Sequence, residues 1–600
     1  MFATNYYVSP TGSSSNNGLS PATAKDDIEE AGLLTSPGDT VFVMNGTYSW
    51  YNPNSDVVDI YNSGTANNWI VFINYPGHHP LIKSKNWAAI SIQGADYVEV
   101  NGFEVIGNAD SVTLAYAQSQ QNNTNNPITS GNGIGCRSQY SNPSNLSHHI
   151  IIRNCKVSKC PGGGIFTYNA DYIRIENNIV SECAWYAPFG NSGISLYQNW
   201  NSDSSTATKN FVVGNTCYRN ENYIPFFASG SITDGNGIII DDERNTQNGS
   251  TLGIYAGKTY IANNLVFDNG GRGIHCYESD KVIIVNNTAY KNCQSPAVKD
   301  GEYTAYSADS ISFINNIAFP ISGVPPVSKS STSTTHLIVD HNLWAANSGI
   351  ANPLGTNTIT TPPNFILPSA NPLLADFHLQ ARSTAINKGT HKQAPANDKD
   401  GNIRVSTDSV DIGCYEYPRV LPLTILYFAG NNANQNNILN WRTSAEINSS
   451  HFEIERSTNG FDFIKVGRME SYRSNTTYHS YSYIDSNCPI GISYYRLKQV
   501  DINGSYKYSD VVLLKRTPNG SLINIWPNPA VDNIDILIDN TQINSVEIYN
   551  NIGQKRLIQN TTIGKCSIDI SRLACGTYFL KIYSNRNLFG QTKFIKIRSL

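Results

Sequence analysis

One line of sequence recurs along this chain and constrains its architecture more than any other feature. It reads IIIRNCKVSKC at 150–160, IRIENNIVSEC at 173–183, NFVVGNTCYRN at 210–220, TYIANNLVFDN at 259–269, VIIVNNTAYKN at 282–292 and ISFINNIAF at 311–319, with a weaker copy, LIVDHNLW, at 337–344. Each copy is a short β-branched strand, an Asn-centred step, and a second apolar strand. Aligned on the second residue of the step, the copies fall at Cys155, Asn178, Asn215, Asn264, Asn287, Asn316 and Asn342, with spacings of 23, 37, 49, 23, 29 and 26 residues. A minimum of 23 with longer exceptions describes one structural rung plus insertions, the pattern of a parallel β-helix. No rung is stable alone, because its apolar strands bury themselves on the rung below. The sharp bend favours Asn, whose amide both donates and accepts and whose backbone tolerates left-handed geometry. Stacked Asn side chains are expected to bond one another along the axis.

The chain is 600 residues long, so several modules are expected. Charged residues make up 15% and hydrophobic residues 40%, a balance suited to a secreted β-protein. The net charge of −4 gives no basis for nucleic-acid binding. No run of 18 apolar residues is present, so no helical membrane span is expected. The opening MFATNYYVSP holds no apolar signal segment. Cys155, Cys160, Cys183, Cys217 and Cys276, five of eleven cysteines, sit at rung positions and read as small stacked core residues. A Cys155–Cys160 bridge, or one across rungs, is left open by the sequence.

Residues 6–50 read as a strand at Tyr6–Val8, a short amphipathic helix around Ala24–Leu34 with Ile28, Ala31 and Leu34 on one face, and a strand at Thr40–Met44. Such a helix suits the open end of a β-helix, which exposes strand edges and core. This segment, with its strand ending in GTY, resembles the start of bacterial pectate-lyase-like β-helix proteins. NPLLADFHLQARSTAINKGT and DIGCYEY near 417 resemble the closing rung and exit strand of the same superfamily. The resemblance implies a right-handed parallel β-helix over 1–417. The alternating strands ILNWRTSAE, HFEIERSTNG and SYYRLKQVDING suit an Ig or fibronectin-III-like sandwich over 418–516. Residues 519–600 resemble the C-terminal sorting domain of the type IX secretion system of Bacteroidetes, through Pro527, Asn528, Pro529, Tyr549, Asn550, Gly553, Gly576, Tyr578 and the closing Lys593–Lys596 strand. The fold expectation is therefore all-β: a right-handed parallel β-helix followed by two β-sandwich modules. The tail implies export through the outer membrane, to the medium or the cell surface, with the type IX machinery as partner.

Four rungs align on a Gly-Ile step: GIFTYNA (164–170), GISLYQN (193–199), GIIIDDE (237–243) and GIHCYES (273–279). Strand alternation sends Phe166, Ser195, Ile239 and His275 outward in one column and Tyr168, Tyr197, Asp241 and Tyr277 in the next. Arg137, from the earlier rung GIGCRS, falls below Tyr168, and Asp242 stacks with Asn169, Gln198 and Glu278 past the strand. Long insertions at 199–209, 221–233 and 244–257 cluster around Asp241, and AWYAPFGNSG adds Trp185 and Tyr186. Aromatic faces beside carboxylates suit a sugar-binding groove, so a polysaccharide is the expected substrate, bound through Arg137, Tyr168, Trp185, Tyr197, Tyr277 and Glu278. Asp234, Asp241, Asp242 and Glu243 form the sharpest acidic constellation. They read either as Ca²⁺ ligands or, through Asp241 and Asp242, as a glycosidase acid/base pair. Candidate bases are His275, Tyr197, Arg272 and Lys258. The superfamily resemblance admits lyases, hydrolases and non-catalytic adhesins. The outward columns hold no Lys, unlike calcium-dependent pectate lyases, and the NTD and GHG motifs of polygalacturonase-type hydrolases are absent, GRGIH standing in their place. The expectation is a monomeric, secreted polysaccharide-cleaving enzyme, with β-elimination ahead of inverting hydrolysis and non-catalytic carbohydrate binding.

Overall fold

The computed structural model describes residues 3–598 except 331–333, 346–354, 405–408, 418–424, 434–435, 445, 447–448, 473–477, 503, 505, 517–522, 539–544, 561–564 and 585–586. The chain divides into two compact units, Met1–Tyr417 and Pro418–Leu600. Among the described residues the first contains three parallel sheets of eleven, nine and ten strands. Each full rung contributes one strand to each sheet in turn. In the rung that starts at Asp171–Glu176 the next strand is Ile179–Ser181 and the third is Ile194–Tyr197. We call the three sheets A, B and C in that order. All ladders between rungs are parallel, as in Ile165 to Tyr168 against Ile194 to Tyr197.

The bend between sheets A and B shows why the recurrent line reads as it does. The first residue of the step takes positive φ: Asn154 (55°), Asn177 (55°), Gly214 (72°), Asn263 (55°), Asn286 (52°), Asn315 (55°) and His341 (51°). Asn, Gly and occasionally His tolerate that conformation at low cost. The second residue then points inward. The Asn178 amide donates to Oδ1 of Asn215 at 3.0 Å, Asn215 to Asn264 at 3.0 Å, Asn264 to Asn287 at 2.9 Å, Asn287 to Asn316 at 3.0 Å and Asn316 to Asn342 at 3.1 Å. Each side chain also donates to a strand carbonyl of the rung before, as Asn264 does to Val212 at 2.8 Å. The line begins at Cys155, whose backbone N–H donates to Asn178 Oδ1.

A second ladder runs five residues further on, at the bend from sheet B to sheet C. Asn220 donates to Asn269 at 2.9 Å and Asn269 to Asn292 at 2.7 Å. The same position is Cys160 and Cys183 in earlier rungs, each preceded, as these Asn are, by a left-handed residue (Lys159, Glu182, Arg219, Asp268, Lys291). Buried Glu302 closes this ladder, accepting from the backbone and side chain of Asn292 at 2.9 and 2.6 Å. Burial pushes the Glu302 carboxyl up to about 8, against the bonds from Asn292, so it holds a proton in the fold at neutral pH. A carboxyl raised in the fold stabilises fully below its ordinary value, and that stability is lost as pH rises through about 8. Denaturant unfolding across that window should show stability falling as pH rises, and Glu302→Gln should flatten the slope. An unchanged slope in the variant would place its origin elsewhere.

The cap helix spans Ile28–Leu33, capped by Asp27, whose side chain accepts from the N–H groups of Glu29 and Glu30. Ile28, Ala31 and Gly32 are buried. Leu34 is 43% exposed rather than on the packed face, because the helix has ended before it. The core is a continuous column of Ile, Val, Ala and Cys between the sheets. Cys155, Cys160, Cys183, Cys217 and Cys276 form no disulfide and are fully buried; burial raises the thiols of Cys155, Cys217 and Cys276, and the contact with Cys183, then burial, raises that of Cys160.

In the second unit, the described residues of 425–516 form antiparallel sheets whose buried core includes Leu439, Trp441, Phe452, Ile454, Tyr495 and Leu497. Those of 523–596 form further antiparallel sheets around Ile534, Ile536, Val546, Ile548, Leu580 and Phe594.

Candidate active site

Sheet C carries the site. Its strands Ile194–Tyr197, Ile238–Asp241, Ile274–Tyr277 and Tyr303–Tyr306 are consecutive neighbours. The register aligns Tyr168, Tyr197, Asp241, Tyr277 and Tyr306 in one outward column, with neighbours about 4.8 Å apart. The adjacent column brings Ile239, His275 and Thr304 together. On one side of the strands, the insertions between sheets B and C bring Thr233 and Asp234 in one rung and Lys299 and Asp300 in another. A cavity of about 640 Å³ opens among these elements, lined by Asp234, Asp241, Arg272, His275, Tyr277, Glu278, Lys299, Asp300 and Tyr306.

Asp241 sits on the cavity wall, half-buried, and accepts from Gln247 Nε2 at 3.1 Å. Burial, then the neighbouring charge of Asp234, holds its carboxyl well above the ordinary range, which favours its protonated form. Burial also raises Asp234, which accepts from Thr233 Oγ1 at 2.7 Å and Asn236 Nδ2 at 2.9 Å. His275 is 3% exposed and its Nδ1 lies 2.5 Å from Thr304 Oγ1. Burial, reinforced by the Arg272 charge, pushes the imidazole well below its ordinary pKa and keeps it neutral. Arg272 is anchored twice, to Asp300 Oδ2 at 2.5 Å and to the Thr233 carbonyl at 2.6 Å. Lys299 is exposed, its ammonium 2.5 Å from the Cys293 carbonyl. Tyr277 is 36% exposed beside these groups.

Several residues singled out in the sequence stand elsewhere. Asp242 has positive φ (52°) and turns the chain into the bend, so its carboxylate is buried rather than facing the groove. It accepts from Gln198 Nε2, from the N–H groups of Thr246 and Gln247, each at 2.8 Å, and from Thr246 Oγ1 at 3.1 Å. Glu243, the next residue, points into the core and accepts from Asn199 at 3.0 Å and Thr259 at 2.6 Å; burial lifts it to about 7. Lys258 opens the strand Lys258–Ala262 in sheet A, away from the cavity on sheet C. Arg137 is paired with the fully buried Asp56 and lies 4.1 Å over the Tyr140 ring, in a structural contact outside the cavity. Trp185 stands on the B-to-C bend outside the cavity, donating to the Arg219 carbonyl at 3.2 Å and packing on Tyr186 and Tyr223. Tyr168 and Tyr197 stack at 5.4 Å with planes 9° apart, extending the outward column from Asp241 as an aromatic strip. The Tyr197 hydroxyl accepts from Asn248 at 2.6 Å.

The insertion at 244–257 holds much of this in place. Gln247 bonds Asp241 and Glu278, and Asn248 bonds Tyr197. Its far end is clamped by Tyr255, which donates to Asp171 at 2.6 Å. Asp171 also receives Lys209, fully buried, at 3.0 Å.

Sequence reasoning missed Lys299, Asp300, Thr304 and Tyr306. The rung EYTAYSA continues the column, but Glu302 and Tyr303 replace the Gly-Ile step that marked the other copies.

Two of the four acids singled out as Ca²⁺ ligands stand away from the cavity. Ca²⁺ takes about six to eight oxygens, whereas Asp242 and Glu243 spend theirs inside the fold, leaving Asp234 and Asp241 of the four acids. Among the described residues no group of three or more His, Cys, Asp or Glu side chains is placed to hold a metal ion.

Residues 6–304 match the family described as the Pel9A-like, right-handed beta helix region. Over that stretch, just under half of the chain, it is similar to the Pel9A-like right-handed β-helix proteins. Residues 524–597 match the secretion system C-terminal sorting domain, the type IX sorting tail, which supports secretion or export to the cell surface. Beside the Pel9A-like match, the chain is 24% identical over 341 residues to pectate lyase L of Thermoclostridium stercorarium, covering 54% of this chain and 25% of that protein. The chain thus spans about a quarter of that relative's length. Among solved structures, pectate lyase Pel9A is similar at 18% identity, covering 70% of this chain and 97% of that one, with a TM-score of 0.41. A rhamnogalacturonan lyase is similar at 15% identity, covering 61% and 91%, with a TM-score of 0.28. No helix among the described residues is long and apolar enough to cross a membrane.

Proposed function

We propose that this protein is an exported enzyme that cleaves an acidic polysaccharide by β-elimination in the cavity on sheet C. The observation that carries the reading is the meeting, within the Pel9A-like β-helix, of a neutral imidazole, a carboxyl biased toward its protonated form and two cations in one cavity. Elimination removes the proton beside a uronate carboxyl, forms a C=C bond from that electron pair, and expels the neighbouring glycosidic oxygen, which must gain a proton. A cation offsets the charge that builds on the carboxyl group. Lys299, at the mouth, takes the uronate carboxylate, and Arg272, braced by Asp300, adds to the positive field. His275 is in the form that accepts a proton, with Thr304 fixing its ring. Asp241 is in the form that gives one, to the leaving oxygen. Tyr277 and the Tyr168–Tyr197 stack supply flat faces for sugar rings. The sorting tail directs the chain to the type IX machinery.

One observation favours hydrolysis as a second reading. A protonated Asp241 is also what a glycosidase acid requires, with Glu278 or Asp234 as the second carboxylate in place of the sequestered Asp242. The test is a panel of acidic and neutral polysaccharides assayed for new reducing ends and for the ultraviolet absorbance of unsaturated uronate ends. Both signals together support elimination. Reducing ends alone support hydrolysis, and neither signal on any polymer sinks the enzymatic reading. Running the panel with calcium and with a chelator decides whether a metal takes part.

A further inference from the structure

A second cavity, of about 460 Å³, opens on the B-to-C corner of the early rungs, lined by Trp50, Tyr51, Lys83, Lys85, Asn108 and Asp110 among others. It lies beside the strand Ala88–Gln93 of sheet C, four rungs before the strand that ends in Asp241, or roughly 19 Å along the axis. The first cavity is bordered by insertions at the same corner. The two therefore lie along one edge of the β-helix.

The chemistry of its walls is specific. Trp50 and Tyr51 are 41% and 53% exposed. The Trp50 ring is pinned, its Nε1 donating to the Val57 carbonyl at 2.7 Å. Lys83 and Lys85 are exposed and have no ion-pair partner among the described residues, whereas Asp110 is already neutralised by Lys159 at 2.5 Å. The wall is thus net positive in a chain of net charge −4. Asn108 is 7% exposed and its buried Oδ1 has no hydrogen-bond partner, while its amide donates to the Ile128 carbonyl at 3.0 Å. A fixed aromatic platform and two free ammonium groups together match an anionic sugar: ring faces for stacking and carboxylates for the lysines.

We propose that this cavity is a remote subsite for the same anionic polysaccharide, holding a stretch of the polymer while another stretch occupies the cavity at Asp241. The inference rests on the reading of that cavity as acting on an acidic polysaccharide. Binding of polygalacturonate to the full chain, measured by calorimetry, tests it separately from cleavage. Lys83→Gln/Lys85→Gln should weaken binding about tenfold and Tyr51→Ala severalfold, with thermal transitions unchanged because all three side chains are exposed. Weakened binding alongside no turnover by the wild type keeps the subsite and removes the cleavage reading. Unchanged affinity in both variants overturns the subsite, as does tighter binding of single-stranded DNA than of polygalacturonate.

Discussion

Asp241→Asn is expected to lower turnover on the cleaved polysaccharide by roughly 10²–10⁴-fold, the usual size of a lost proton-transfer group. The substitution keeps the shape and the partner Gln247 but removes the proton that burial and Asp234 hold on the wild-type carboxyl. The pH behaviour follows with a definite sign. A carboxyl raised in the fold keeps its proton to higher pH, so activity that needs this proton falls on the alkaline side as Asp241 ionises. Its stabilising contribution is likewise complete below the ordinary carboxylate pKa and lost as pH rises through the raised value. The Asn variant should be as stable as the wild type or more so at neutral pH. His275→Ala should cost activity to a similar degree through loss of the proton acceptor. Full activity in both variants would move the chemistry out of this cavity.

Asn264→Ala is expected to be the most damaging single change in the scaffold. The wild-type side chain donates to the Val212 carbonyl and to Asn287 Oδ1, and accepts from the backbone N–H and side-chain amide of Asn215. Alanine removes the side-chain acceptor of the Asn215 backbone N–H, and it takes one bond each from the Asn215 amide (which still donates to the Ile175 carbonyl), the Val212 carbonyl and Asn287 Oδ1. Stranding the buried N–H costs about 1–3 kcal/mol and each of the three other lost bonds about 0.5–1.5 kcal/mol, for a total of roughly 2.5–7.5 kcal/mol. That is a large part of the ~5–15 kcal/mol that holds a typical domain together. The thermal transition of the β-helix should fall by several degrees. A transition within a degree of the wild type would mean that the ladder relaxes around the gap.

What the sequence made legible follows from what repeats. The Asn step recurs because each rung meets the same bend, so Asn178, Asn215, Asn264, Asn287, Asn316 and Asn342 could be placed on one line before any coordinates. The second ladder was equally periodic, five residues on, but its early members are Cys160 and Cys183, which disguised Asn220, Asn269 and Asn292 as ordinary strand ends. Outward placement of Asp241, Tyr277 and His275 followed from strand alternation. Asp242 and Glu243 did not, because alternation ends where a left-handed residue turns the chain. Lys299 and Asp300 lie on an insertion that obeys no period, and nothing in its sequence tells which wall it meets. Arg137 looked free because Asp56, its partner, is 81 residues away.

The uneven spacing of the rungs has a practical side. Steps of 37 and 49 residues occur where long insertions leave the coil, yet the amide line through Asn178, Asn215, Asn264 and Asn287 continues across them at 2.9–3.0 Å. The load-carrying spine and the segments that border the cavity are therefore separate inheritances. Segments such as 244–257 are expected to be exchangeable between proteins of this shape, as tool heads on a common handle, provided that the recipient coil keeps an acceptor such as Asp171 for the graft's far end.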